Sequence, residues 1–303
     1  MSEKIKNSFP QCLATFALIV ISVLVLLNAT GTDFTVPEVK AGEATSSASG
    51  QVGNATPIVS AVNVASTTID LNPNSTTSVI ITGTITDTNG GSDISSATAT
   101  LYATSTNENC SANDNNCYVN ITCTLGAVVN NDRNATCTTS IWFHSNPGGW
   151  GASILAADNS NATGTATDTV PSTVNTLNAV IVTESITYDT LSPGNNMAST
   201  TKTIYATTTG NAAIDVQIKG NDMTYGATGT IVAANERYAT STVGWVSGNI
   251  ASSTNYVNFE VDLAKPTTHP SDSADIIYWG WSVPGGTPIG TYSGTLFFNP
   301  VSD

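Results

Sequence analysis

Charge is scarce in this chain, and positive charge scarcest of all. Eight Lys and Arg stand against 22 Asp and Glu in 303 residues, so charged residues make up 10% of the sequence and the formal net charge is −14. An ordinary soluble domain carries about 25%. Nucleic acid is excluded as a partner, because phosphate contacts need Lys and Arg and the eight cations are scattered. Leucine is short as well, at 13 residues against 25 Val, 22 Ile and 49 Thr. β-Branched side chains lose rotamer freedom in helices and pack well on pleated sheets, which disfavours a helical protein. Catalytic constellations are missing too. The two histidines, His144 and His269, lie far apart in the chain, and no Gly-x-Ser-x-Gly, His-Glu-x-x-His, phosphate loop or dinucleotide fingerprint occurs. Same-face acids such as Glu260 and Asp262 read as a solvated strand face. The chain is therefore read as no enzyme.

Neutral polar residues fill the gap: beside the Thr there are 32 Ser and 30 Asn. At the N-terminus, Lys4 and Lys6 precede an apolar run from Cys12 to Leu27 broken only by Thr15 and Ser22. A basic stretch followed by a long apolar one reads as a secretory signal. Residues 1–32 are expected to be a cleaved signal peptide or an uncleaved membrane-anchor helix, and both leave the positive end inside and export the rest. Residues 33–57, with Ala41-Gly42-Glu43-Ala44-Thr45-Ser46-Ser47-Ala48-Ser49-Gly50, are too small and polar to offset the entropy of ordering. They are expected to be a disordered, flexible tether.

From residue 58 onward the apolar pattern has period two. Val79, Ile81 and Ile85 alternate with Ile80, Thr82, Thr84 and Thr86; Ile214, Val216 and Ile218 with Asp215, Gln217 and Lys219; Val257, Phe259, Val261 and Leu263 with Asn258, Glu260 and Asp262. That is the mark of half-buried antiparallel strands. Turn clusters separate the runs, among them Asn89-Gly90-Gly91, Pro147-Gly148-Gly149 and Pro284-Gly285-Gly286. The expectation is an all-β protein of two tandem antiparallel β-sandwiches, 58–171 and 172–303, with the boundary near Pro171-Ser172.

Three stretches resemble bacterial Ig-like surface domains. Ile80-Ile81-Thr82-Gly83-Thr84-Ile85-Thr86-Asp87-Thr88-Asn89-Gly90-Gly91-Ser92-Asp93-Ile94 looks like a B strand and its turn. Ala156-Ala157-Asp158-Asn159-Ser160-Asn161-Ala162-Thr163-Gly164 looks like the turn near the C-terminal hairpin. Pro288-Ile289-Gly290-Thr291-Tyr292-Ser293-Gly294-Thr295-Leu296 resembles the final turn, which in such modules sets the last strand beside its predecessor. The resemblance, which extends to hypothetical exported surface proteins of uncultured bacteria, implies Ig-like sandwiches outside the cell and brings no catalytic residues.

Beyond Cys12, four cysteines remain, Cys110, Cys117, Cys123 and Cys137. An even number in an exported chain reads as disulfides, with three pairings open. Ile121–Leu125 and Ala135–Ser140 look like hairpin strands about a turn near Asn130. Cys123 and Cys137 are symmetric about that turn, which suggests Cys123–Cys137 and Cys110–Cys117. The rival is a four-thiolate zinc site, but spacings of x6, x5 and x13 lack the close pair such sites use. Acidic turns are the other oxygen-rich feature: Asp87, Asn89 and Asp93 about one Gly-Gly, and Asp158, Asn159, Asn161 and Asp168 about a second turn. Such loops can hold Ca²⁺, and they are equally the ordinary residues of tight turns. No other cofactor is indicated. Six Asn-x-Ser/Thr sequons, at Asn54, Asn74, Asn109, Asn120, Asn134 and Asn161, are about what this composition yields by chance. Of the tryptophans, Trp279 and Trp281 share a face with Val283 and read as core, packing on Val257, Phe259 and Val261, while Trp150 among glycines reads as the most exposed.

Together these features point to an exported cell-surface structural or adhesive protein, such as an envelope-layer, appendage or display module. The alternative is a carbohydrate- or polymer-binding surface module that presents its tryptophans to glycans. Expected partners are other surface proteins, further copies of itself or glycans, and the membrane if the N-terminal segment stays uncleaved.

Overall fold

The computed structural model describes residues 47–183 and 185–303. The expected signal or anchor at 1–32, with Cys12, and the first part of the tether lie outside the described residues. From Gly53 to Asp303 the chain forms one compact unit, and it is all-β. Among the described residues the only helical elements are three short 3₁₀ turns, Gly91–Asp93, Ala233–Asn235 and Trp245–Ser247. Within the unit the apolar side chains gather into two main cores.

The first core is enclosed by β1 (Ile58–Val64), β2 (Thr68–Ile69), β3 (Thr76–Thr86), β4 (Ile94–Ala103), β5 (Cys117–Leu125), β6 (Asp132–Trp142), β7 (Gly148–Asp158), β8 (Thr163–Thr167) and β9 (Ser172–Val174). They form one sheet in the order β1-β3-β6-β5-β4-β7-β9-β2, with β8 also on β7. The period-two pattern is realised in β3, where Val79, Ile81 and Ile85 are buried and Ile80 faces out. The sheet folds over on itself. Gly83 in β3 lies so close to β7 that a Cβ there would come within 2.7 Å of Ile154 Cδ1, which is why no side chain stands at that inward position. Ser172–Val174, just past the expected boundary, pairs with β7 and β2, and Val174 joins the first core.

The second core lies between two sheets. One comprises β10 (Val180–Val182), β11 (Lys202–Thr208), β15 (Glu236–Ala239), β16 (Asn249–Ile250) and β18 (Ala274–Trp281). The other is β12 (Ile214–Gly220) between β17 (Val257–Leu263) and β19 (Leu296–Ser302). Ile204, Ile277 and Trp279 from the first sheet meet Val216, Ile218, Phe259 and Val261 from the second. A hairpin, β13 (Met223–Tyr225) with β14 (Gly229–Ile231), lies beside them.

Three expectations need correction. The last strand does not lie beside its predecessor: β19 pairs along its length with β12, Ile214 to Gly220 opposite Ser302 to Leu296. Sheet neighbours are chosen by which apolar faces must be covered, and Leu296 and Phe298 complete the core over β12. Trp150 is fully buried. Its glycine neighbours belong to strand β7 rather than to a turn, the indole packs near Tyr118 with 6.0 Å between centroids, and Nε1 donates to the Asn146 carbonyl at 2.8 Å. Of the stripe Trp279, Trp281 and Val283, Trp279 is fully buried beside Tyr238 and Phe259, whereas Trp281 is half-buried and packs in a separate small cluster with Val283, and Val257 is exposed.

Polar contacts contribute to the docking of the two cores. Buried Asn211 accepts the Leu177 N–H at 2.7 Å and donates to the Asn175 carbonyl at 3.0 Å. Lys265 Nζ donates to Asn115 Oδ1 at 2.8 Å and to the His144 carbonyl at 2.7 Å.

Candidate functional site

An open groove of about 640 Å³ runs along the second core, lined among others by Tyr188, Leu191, Met223, Glu236, Trp281 and Tyr292. That volume is in the range of small-ligand sites. Tyr188 and Trp281 stack at 5.3 Å with 15° between ring planes, and Trp281 Nε1 donates to the Asp189 carbonyl at 3.2 Å. An ion pair of 2.8 Å between Lys202 and Asp189 anchors the same segment. In the floor, the Tyr188 hydroxyl donates to Glu236 Oε1 at 2.9 Å. Burial pushes the Glu236 carboxyl up to about 7, while the tyrosine's hydrogen bond pulls it down. Burial, reinforced by the Glu236 charge, pushes the Tyr188 hydroxyl up. The groove thus joins a stacked aromatic pair to a carboxyl that ionises near neutrality. Sequence reading expects Trp281 in the core rather than at a groove, and Glu236 and Tyr188 stand on separate segments with nothing in the residue pattern linking them to it.

The cysteines are bonded as Cys110–Cys117 and Cys123–Cys137. The second bond joins directly opposed residues of β5 and β6 inside the first core. The first closes the polar loop between β4 and β5.

The two acidic turns meet. β3 ends at Thr86, and Asp87 Oδ1 accepts the Asn89 N–H at 2.8 Å, an Asx turn. Gly90 follows at φ 116°, a conformation open to glycine and costly for any other residue, and the chain then makes the 3₁₀ turn that ends in Asp93. Asp158 pairs with Ile94 at the end of β7, so the second turn lands beside the first. One carboxylate oxygen from each of Asp87, Asp93 and Asp158 lies within 4.8 Å of the others. Asn89, expected in this set, turns its Oδ1 to the Ala55 N–H instead. Asn159 joins as a donor, Nδ2 to Asp93 Oδ1 at 3.1 Å. Asp168 stands elsewhere, at the end of β8, where burial pushes its carboxyl up. The side-chain amide of Asn54 holds the Asp158 carboxyl below its usual range.

The structure also brings the two histidines together at the junction of the cores, with the His269 ring 4.4 Å from Trp142 and 5.9 Å from Phe143, and the His144 ring 5.1 Å from Phe143. Burial, and then the Lys265 ammonium, hold the His144 imidazole below its usual range. Neither of its nitrogens has a hydrogen-bond partner among the described residues.

No protein-family model matches the sequence, and no curated protein matches it. Among solved structures, the chain aligns with the Streptococcus agalactiae AgI/II polypeptide BspA C-terminal domain at 9% identity and a TM-score of 0.23, over 82% of this chain and 96% of that one. A second structure, BspA_C_WT, aligns at 8% identity and a TM-score of 0.22 over the same shares. At these scores neither a family nor a function transfers to this chain.

Proposed function

We propose that this chain is an exported surface protein whose folded part, a pair of Ig-like sandwiches, acts as a structural or adhesive module without catalysis of its own. One observation carries the reading. The Cys123–Cys137 bond is built into the first core, opposite residue to opposite residue, and such bonds persist in oxidising surroundings outside the cytosol. The apolar run after Lys4 and Lys6 and the polar stretch behind it fit the same reading as export signal or anchor and tether. A second reading, a carbohydrate- or polymer-binding surface module, is favoured by the groove with stacked Tyr188 and Trp281 above Glu236.

Protease added to intact cells tests the location. It is expected to release peptides from both 58–171 and 172–303, and full protection of Gly220–Asp303 would overturn the proposal. The purified chain separates the two readings. Ordered filaments or lattices support the structural role, whereas a monomer whose Trp281 fluorescence shifts on titration with glycans supports the binding module.

A further inference from the structure

The meeting of Asp87, Asp93 and Asp158 has a feature that turn chemistry does not account for. In most of the cluster the oxygens are used. Asp158 Oδ1 accepts the Ser160 and Ala162 N–H groups at 2.8 Å each and its Oδ2 accepts Asn54 Nδ2 at 2.7 Å. Asp93 Oδ1 accepts Asn159 Nδ2, and Asp87 Oδ1 accepts the Asn89 N–H. Asp87 Oδ2 is different. The residue is 1% exposed, and this oxygen is shut off from solvent with no hydrogen-bond partner among the described residues. A buried carboxylate oxygen left without a donor is costly, and two further carboxylates within 4.8 Å add repulsion. Among the described residues, no cationic side chain forms an ion pair with it. Arg133, whose guanidinium reaches this end of the sheet, donates to the carbonyls of Ile94, Leu125 and Gly126.

We propose that Asp87, Asp93 and Asp158 form a Ca²⁺ site, with Asp87 Oδ2 as its buried ligand. A hard cation takes oxygen donors at about 2.3–2.6 Å, so oxygens sharing one Ca²⁺ stand at most about 5 Å apart, and the observed cluster meets that limit. Three protein carboxylates favour Ca²⁺ over Mg²⁺, which keeps most of its waters and rarely fills an all-protein cage. Among the described residues, no histidine nitrogen or cysteine sulfur joins the cluster to attract a softer metal. The ion would join the turn after β3 to the turn after β7. It would also fix the chain entering β1, because Asn54 is held by Asp158 and the Ala55 N–H by Asn89.

The test is calorimetric titration of Ca²⁺ into the EDTA-stripped full-length chain, paired with thermal unfolding. One ion per chain is expected, with a midpoint rise of about 5–10 °C at a hundredfold excess over Kd. Asp93→Asn changes a half-buried position and should fold while weakening binding about tenfold or more. Asp262→Asn, in a second acidic cluster with Asp215 and Asp303, should bind as the parent does. Neither heat nor a midpoint change at about 10 mM Ca²⁺, above the weakest extracellular sites, would overturn the proposal. So would binding that survives Asp93→Asn but is lost in Asp262→Asn, or Mg²⁺ binding as tightly as Ca²⁺.

Discussion

Glu236 should make the second core less stable as pH rises from acid to neutral. The side chain is 3% exposed, and burial raises its carboxyl from the ordinary 4.5 to about 7 even though the Tyr188 hydroxyl donates to it. A group raised in the folded state contributes stability that is complete below the unfolded value and is lost as pH climbs through the folded one. Below about pH 4.5 the carboxyl is protonated in both states. Between about 4.5 and 7 only the unfolded chain releases the proton, and above about 7 the folded carboxylate is ionised in its buried place. At about 1.4 kcal/mol for each tenfold difference in acidity, the window is worth about 3 kcal/mol, a large part of ordinary domain stability. Glu236→Gln keeps the shape and an oxygen for Tyr188 but cannot ionise. Urea unfolding of the full-length parent and variant at acid and at mildly alkaline pH isolates the effect, because Asp168 and every other titrating group are common to both. The variant should gain about 3 kcal/mol on the parent between the two conditions and be the more stable at the higher pH. Parallel profiles, within about 0.5 kcal/mol, would refute the reasoning.

Trp279→Ala should cost about 3–5 kcal/mol, the usual loss for a large aromatic in a core, since the ring is fully buried 5.1 Å from Tyr238. Trp281→Ala should cost nearer the 0.5–1.5 kcal/mol or so of an aromatic pair, as it loses the Tyr188 stack at the rim of the groove; equal losses in urea unfolding would mean the groove is closed. Replacing Cys123 and Cys137 together by Ala should cost about 2–4 kcal/mol, and peptide mapping of the non-reduced parent should show Cys123–Cys137 and Cys110–Cys117, whereas four free thiols or a Cys110–Cys137 link would contradict the bonding.

What the sequence makes legible is whatever its neighbours along the chain decide. Alternation in β3 and β12 announces strands because a pleated backbone turns every second side chain the same way, and Val79, Ile81, Ile214, Val216 and Ile218 are all buried. The symmetry of Cys123 and Cys137 about Asn130 works because a hairpin turn sets the register of its two strands. Pairings that depend on the way the sheets close leave no such trace. Nothing near Leu296 says that its strand will lie on β12, and nothing near His144 says that His269 will share its aromatic neighbours. Trp150 misleads for a related reason, since glycine pairs mark turns and also mark strands pressed close to another layer, and only the packing distinguishes the two.

The acidic turns show how this bears on function. Asp-x-Asn-Gly reads the same whether or not it holds an ion, because an aspartate that shapes a turn does so with one oxygen, as Asp87 does with the Asn89 N–H. The second oxygen decides the chemistry, and its fate is set by residues far off in the chain. In β7, the register that places Asp158 opposite Ile94 delivers a third carboxylate to Asp87 and Asp93, and the same packing seals Asp87 Oδ2 from water with no donor among the described residues. Turn propensity therefore explains why these aspartates stand where they do, and long-range packing explains why one of them is left with a free, buried oxygen that a cation can satisfy.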